Sequence, residues 1–195
     1  MTKALYLIGG AGVGKTTILQ KHTEAFTVSP AIRLNKQLWA EPLQLGDVSA
    51  YRLGKARFSF AGTDALGMAV NPDAIEWVQE HPLPDFIYGE GQRLSNFRFL
   101  YALHSRTDLH VLHIVNNNAH LMREERALRL GVRQQSPSFV KATETKSDNL
   151  VKLLIEAQVK VTVVNTTGFR VDEAVTQIAS ASRQDVFALG ELVNN

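Results

Sequence analysis

The chain has 195 residues, 45% of them hydrophobic and 21% charged, with a formal net charge of +2 and no cysteine, values that fit one domain with a sizeable core. The lack of cysteine excludes a disulfide framework, a thiolate metal site and a cysteine nucleophile, which suits a reducing cytoplasm. The apolar run at residues 4–8 is too short for a secretory leader or a bilayer span, and so small a net charge does not by itself argue for nucleic-acid binding.

Residues 4–8 are an apolar run ending on glycine, which predicts a buried parallel strand, and residues 15–24 read as a helix. Residues 26–55 lack clean periodicity and contain Pro30, Pro42, Gly46 and Gly54, so they read as an irregular insertion. Arg57 to Phe60 is the expected second strand, ending at Asp64. Asn71 is placed as N-cap with Pro72 at the first helical position, opening a helix through Ile75, Trp77 and Val78 to about Glu80. Asp85 to Tyr88 is the third strand, delivering Gly89, Glu90 and Gly91. Ser95 is the expected cap of a helix in which Phe97, Leu100, Tyr101 and His104 share a face. Leu109 to Val115 is the fourth strand, and Asn118 opens a helix that Gly131 ends. A polar link over 132–146 leads to a helix capped by Ser147; Val159 to Val164 is the fifth strand, and a last helix starts near Val171. This alternation predicts an α/β fold with about five parallel strands, helices on both faces and three layers, in one domain over 1–195.

Between the first strand and the first helix stands Gly9-Gly10-Ala11-Gly12-Val13-Gly14-Lys15-Thr16-Thr17, which meets the phosphate-loop pattern G-x-x-x-x-G-K-[ST]. Its glycines allow the backbone to aim N–H groups at one point, and the helix behind adds the positive end of its dipole. Gly9 to Thr17 are therefore the candidate ATP-binding residues. Lys15 is placed on the β and γ phosphates and Thr16 on Mg²⁺.

Ligands of parallel sheets sit beyond the carboxyl ends of the strands, which singles out Asp64 and Glu90. Asp64 is the candidate base for an acceptor hydroxyl, and Glu90 the candidate holder of Mg²⁺ or its water, with the two roles open to exchange. From Arg123 to Lys146 six basic residues, Arg123, Arg126, Arg129, Arg133, Lys141 and Lys146, face three acids, Glu124, Glu125 and Glu144. Residues 123–146 thus read as a lid that brings cations to the transferred phosphoryl group. Arg126 and Arg133 are its expected phosphate contacts and Arg129 an adenine-stacking residue, while Arg123 reads as part of a solvated helix face. Arg93 is a candidate for an acceptor phosphate; Phe60 and Glu90 complete the expected acceptor side, to which 26–55 also belongs.

His110 and His113, three apart in a strand, face opposite sides and make a poor metal pair. His22, His81, His104 and His120 lack ligand spacing. Trp39 and Trp77 read as core; Phe58, Phe60 and Tyr88 are open between core and base stacking.

With phosphate loop, Glu90 and arginine-rich segment in this order, the chain resembles the nucleoside and nucleotide kinases of the P-loop class. The stretches Phe60 to Leu66, Gly89 to Asn96 and Thr145-Lys146 resemble phage P-loop kinases, among which are the 5-hydroxymethyluracil DNA kinases. The resemblance implies ATP and Mg²⁺, a modified pyrimidine in phage DNA as acceptor, and the host cytoplasm as location. The chain departs from thymidylate kinases, in which an Asp-Arg pair follows the third strand, since here Glu90 and Arg93 are separated by two residues. A kinase of free nucleosides or nucleotides is the second reading, and a nucleotide-dependent switch or ATPase the third. A monomer or homodimer is expected.

Overall fold

The computed structural model describes residues 1–56 and 62–168, together with 173 and 176. In chain order the elements are β1 (Lys3–Ile8), α1 (Lys15–His22), β2 (Thr27–Val28), β3 (Ile32–Arg33), β4 (Trp39–Leu45), β5 (Val48–Leu53), a 3-10 turn at Gly62–Ala65, α2 (Val70–Glu80), β6 (Phe86–Glu90), α3 (Phe97–Arg106), β7 (Asp108–Val115), α4 (Ala119–Leu130), α5 (Pro137–Glu156) and β8 (Lys160–Asn165). One sheet runs in the order β2-β4-β5-β6-β1-β7-β8, with β3 also paired to β4. The five strands from β5 to β8 along this path run parallel to one another, so their carboxyl ends share one edge.

The alternation of β1 builds both sides of the core. Tyr6 and Ile8 pack with Trp77 of α2, Phe99 and Leu103 of α3 and Leu154 of α5. Leu5 and Leu7 pack with Ile18 and Leu19 of α1 and Ala119 of α4. Helices therefore cover both faces, giving the three layers expected of a P-loop NTPase fold. No helix among the described residues is long and apolar enough to cross a membrane.

The segment 26–55 differs from the irregular insertion expected of it. It contains β2 to β5, with β4 and β5 forming a hairpin from Ala40 opposite Leu53 to Leu45 opposite Val48. Gly46 serves the two-residue turn with φ 55°, as tight hairpins require. Pro42 fits because its carbonyl accepts from Ser29 N at 2.9 Å, on the side where β2 and β3 leave a break. The reciprocal bond to Ser29 that Pro42 has no N–H to give falls just past the end of β2, where the ladder stops. β5 is thus the strand beside β6; the second strand expected at 57–60 lies outside the described residues, as does the expected start of a last helix at Val171.

Three helix starts also move. α2 begins at Val70, which puts Asn71 and Pro72 in its first turn, where a missing N–H is harmless. Asn96 caps α3 by accepting from Phe99 N at 3.1 Å, while the Ser95 hydroxyl donates to Gly91 O at 2.6 Å. Ser136 caps α5, with Pro137 at its first position. Much of the expected polar link is therefore helix, and Ser147 lies inside it, donating to Thr143 O at 2.9 Å. Gly131 ends α4 in the left-handed conformation expected of it.

Gly89 has no room for a side chain: a Cβ there would lie 2.4 Å from Cε2 of Tyr6, a ring with no solvent exposure. Gly89→Ala is expected to lower stability by about 1–3 kcal/mol, read as a shifted urea midpoint with an unchanged slope.

Candidate active site

The phosphate loop turns into α1 through Gly14, which takes the left-handed conformation at the N-cap with φ 88°, a shape that a side chain would strain. Lys15 is 8% exposed. Its ammonium donates to the carbonyls of Gly9 at 3.0 Å and Gly10 at 2.7 Å, and so lies across the loop. Burial pushes the Lys15 pKa below its ordinary value, against the opposing pull of Glu90 and Asp64.

Glu90 reaches this loop because β6 pairs directly with β1, Leu7 opposite Glu90. The Thr16 hydroxyl donates to Glu90 Oε1 at 3.0 Å. Burial pushes the Glu90 carboxyl up to about 7; the charge of Asp64 adds to the rise, and Lys15, the Thr16 hydroxyl and Arg126 act against it. The carboxylate is packed against the backbone of Gly62, where a Cβ would lie 2.1 Å from Oε1.

Asp64 stands in the 3-10 turn, and its Oδ1 accepts from Gln92 N at 2.5 Å. The turn is locked to β6 by Thr63, whose hydroxyl donates to Glu90 O at 2.9 Å. The Tyr6 hydroxyl donates to Gly91 O at 3.2 Å. Gln92 in turn donates through Nε2 to Gly9 O at 3.1 Å and accepts at its carbonyl from Lys146 Nζ at 3.1 Å. Lys15, Thr16, Asp64 and Glu90 thus meet at one sheet edge, as expected from the sequence.

The helices after β7 brace the loop. Arg123 donates through Nη1 to Ala11 O at 2.8 Å, and Ala11 N donates to Thr143 Oγ1 of α5 at 3.3 Å. Arg123, read from the sequence as a solvated residue, therefore contacts the loop directly: one turn into α4, its side chain points back along the helix toward the loop. Arg126 is near enough to Glu90 to hold its carboxyl down. Arg129 and Arg133 are exposed, and neither makes a hydrogen bond or ion pair among the described residues. Arg93 has a buried Nε without a hydrogen-bond partner and bears on Lys146, whose pKa is lowered by burial first and by Arg93 as well, against the pull of Asp64. Thr17 is exposed at the start of α1, and Val13 is part of the core. Phe58 and Phe60 lie outside the described residues.

A cavity of about 790 Å³ opens between the start of α3 and α5, lined among others by Asn96, Phe97, Lys141, Thr145, Lys146 and Leu150. Lys146 connects it to Asp64 through Gln92. On the strand beyond, His113 turns toward Asp148 of α5 at 3.7 Å while His110 meets Thr162 at 2.9 Å, so the two histidines face opposite sides as expected. Tyr88 and Trp77 are core. Thr63, Gln92, Thr143 and Tyr6 were not singled out in the sequence. The glycines on either side of Glu90, signs of a close backbone approach, are the one signal that pointed toward Thr63 and Tyr6.

A glycine loop at the end of a central parallel strand, a buried lysine and a threonine paired with a neighbouring carboxylate define a nucleotide-binding P-loop protein. The chain matches the family model of P-loop Nucleotide Kinase3 over residues 1–180, and it belongs to that family. Membership points to an ATP-dependent phosphotransferase. No curated protein matches the chain.

Replacing the fully buried Thr63 by valine keeps its shape and removes the hydroxyl that serves the Glu90 carbonyl. Thr63→Val is expected to cost about 1–3 kcal/mol in chemical denaturation, with the far-ultraviolet spectrum unchanged.

Proposed function

We propose that the protein transfers the γ-phosphoryl group of ATP to a hydroxyl of a nucleotide-type acceptor, and that this acceptor is the 5-hydroxymethyl group of hydroxymethyluracil in phage DNA. The observation that carries the transfer is the convergence of Lys15, the Thr16–Glu90 pair and Asp64 at one sheet edge. The DNA acceptor is supported by the resemblance of Phe60 to Leu66, Gly89 to Asn96 and Thr145-Lys146 to phage kinases.

Lys15 leaves the Gly9 and Gly10 carbonyls to bind the β and γ phosphates. The Thr16 hydroxyl and the Glu90 carboxylate are hard oxygen donors 3.0 Å apart, a set that suits Mg²⁺, which takes one or two protein ligands together with phosphates and water. The raised Glu90 pKa fits this role, since a cation there would stabilise its buried charge. Mg²⁺ held there would supply neutralisation of the phosphate oxygens. Asp64 takes the proton of the acceptor hydroxyl as its oxygen bonds to the γ phosphorus. The bond from that phosphorus to the β-phosphate oxygen breaks, and its electron pair leaves on ADP. Arg126 and Arg133 meet the charge on the transferred group, and Arg129 stacks on adenine as residues 123–146 close. Arg93 holds a phosphate of the acceptor, with Phe60 and Glu90 beside the accepting base.

The cavity between α3 and α5 favours a second reading. Its size suits a small-molecule ligand, and Lys141 and Lys146 in its wall suit an anion, so a free nucleotide is the alternative acceptor.

Incubation with γ-labelled ATP and, in parallel, hydroxymethyluracil DNA, unmodified DNA and free nucleosides or nucleotides distinguishes these outcomes. Label on the modified DNA alone supports the first reading, label on free acceptors alone the second, and phosphate release without labelled acceptor indicates an ATPase. Lys15→Ala is expected to lower turnover at least about 10²-fold. Asp64→Asn should lower transfer by about 10²–10⁴-fold while ATP binding, read with a fluorescent ATP analogue, persists; full transfer by this variant removes Asp64 as the base.

The Glu90 carboxyl, raised to about 7, must lose its proton to ligate Mg²⁺. The gain in ATP affinity on adding Mg²⁺ is therefore expected to be full above that pH and to fall by up to about tenfold per unit below it. Glu90→Gln should show a smaller gain without this pH dependence, measured in titrations on both sides of neutrality.

A further inference from the structure

Arg33 and Lys55 carry charges that the chemistry above does not use. Both stand over the indole of Trp39, Lys55 Nζ at 4.4 Å and Arg33 Cζ at 5.1 Å from the ring centroid. Neither side chain makes an ion pair or hydrogen bond among the described residues. Trp39 is half-buried and packs against the main core, so its ring is a fixed support whose negative faces hold two like charges close together. Lys36 is exposed in the adjoining turn between β3 and β4. Asp73, which touches this turn, is engaged, accepting from Gln37 N at 2.8 Å. Glu41 of the same hairpin is paired with Arg52 at 2.7 Å.

This cluster sits on the active edge. Because β5 runs parallel to β6, Leu53 and Gly54 leave the sheet on the side where Glu90 does. Gly54 N donates to Trp39 O at 2.7 Å and Lys55 N to Gly62 O at 3.3 Å, and Gly62 abuts the Glu90 carboxylate. Across the edge the order is therefore the Trp39 cluster, Glu90, the phosphate loop and then Arg123 and Arg126 of α4. ATP bound at the loop can occupy the cations on the α4 side, which leaves those around Trp39 for a second source of phosphate. A chain of phosphates passing the acceptor side would meet them.

We infer that Arg33 and Lys55, held over Trp39, together with Lys36 in the adjoining turn, form a second anion site that grips the backbone phosphates of a polynucleotide strand beside the reacting nucleotide. The inference rests on the reading of the acceptor as a nucleotide within a strand. Trp39 itself serves as the anchor that holds Arg33 and Lys55 in place.

The test uses the full chain and an end-labelled, unmodified oligothymidylate of roughly twelve nucleotides, followed by fluorescence anisotropy between about 50 and 200 mM salt. Binding should weaken with salt, and Arg33→Gln/Lys55→Gln should lower affinity about tenfold and the salt slope by about 1 to 2. Arg33→Lys/Lys55→Arg should restore most of the loss, and binding of a fluorescent ATP analogue should stay unchanged in both variants. Equal affinity and slope in the glutamine variant would overturn the site. With hydroxymethyluracil DNA as acceptor the glutamine variant should raise KM at unchanged kcat; an unchanged KM overturns the site while the acceptor reading stands. Oligothymidylate binding that depends on Arg33 and Lys55, with no transfer to any DNA, keeps the strand site and removes the acceptor reading.

Discussion

The parallel pairing of β6 with β1 is the constraint on which the site depends. It sets Leu7 opposite Glu90, and two residues beyond Leu7 the phosphate loop begins. A carboxylate that would be solvated at the tip of an ordinary loop is thereby held 3% exposed beside a loop made for anions. Isolated, such a charge would be costly. Here the Thr16 hydroxyl and the nearby charges of Lys15 and Arg126 oppose that cost in part, and the carboxyl keeps a proton affinity well above that of a free glutamate. The imbalance is of the kind that functional sites retain.

The sequence and the structure agree where the signal is local and covalently close. The loop from Gly9 to Thr16 carries its own turn chemistry, lysine and helix, and Gly131 ends α4 as a lone glycine after a helical pattern should. β1, β6 and β7 were legible as apolar runs because parallel strands inside a sheet are buried on both faces, and β8, at the sheet edge, as a run of β-branched residues. β4 and β5 were not, since their exposure follows neither the period of a strand nor that of a helix. Pro42 argued against a strand until the break between β2 and β3 supplied a place for its missing N–H. The helix α5 starts eleven residues before the position expected from the sequence, because residues 137–146 are largely polar and little of them is buried.

The candidate site was legible to the extent that its members sit at strand ends. Lys15, Thr16 and Glu90 could each be named from position alone, whereas Asp64, expected at the end of a strand over 57–60, stands in the 3-10 turn at Gly62–Ala65. Gln92, Thr63 and Thr143 could not, because each acts through a contact between residues far apart in sequence. Arg123 shows the opposite limit: an arginine on a charged helix looks solvated until the loop it touches is brought across from the first strand.

The backbone of Ala11 is held from two sides. Its carbonyl takes a hydrogen bond from α4 and its N–H gives one to α5. A phosphate that claims this N–H must win it from Thr143, which then has only its bond to the Val140 carbonyl within α5. The same helix forms one wall of the cavity at α3, through Lys141, Thr145 and Lys146. One helix thus carries both the contact that a phosphate in the loop would displace and one wall of the cavity at α3.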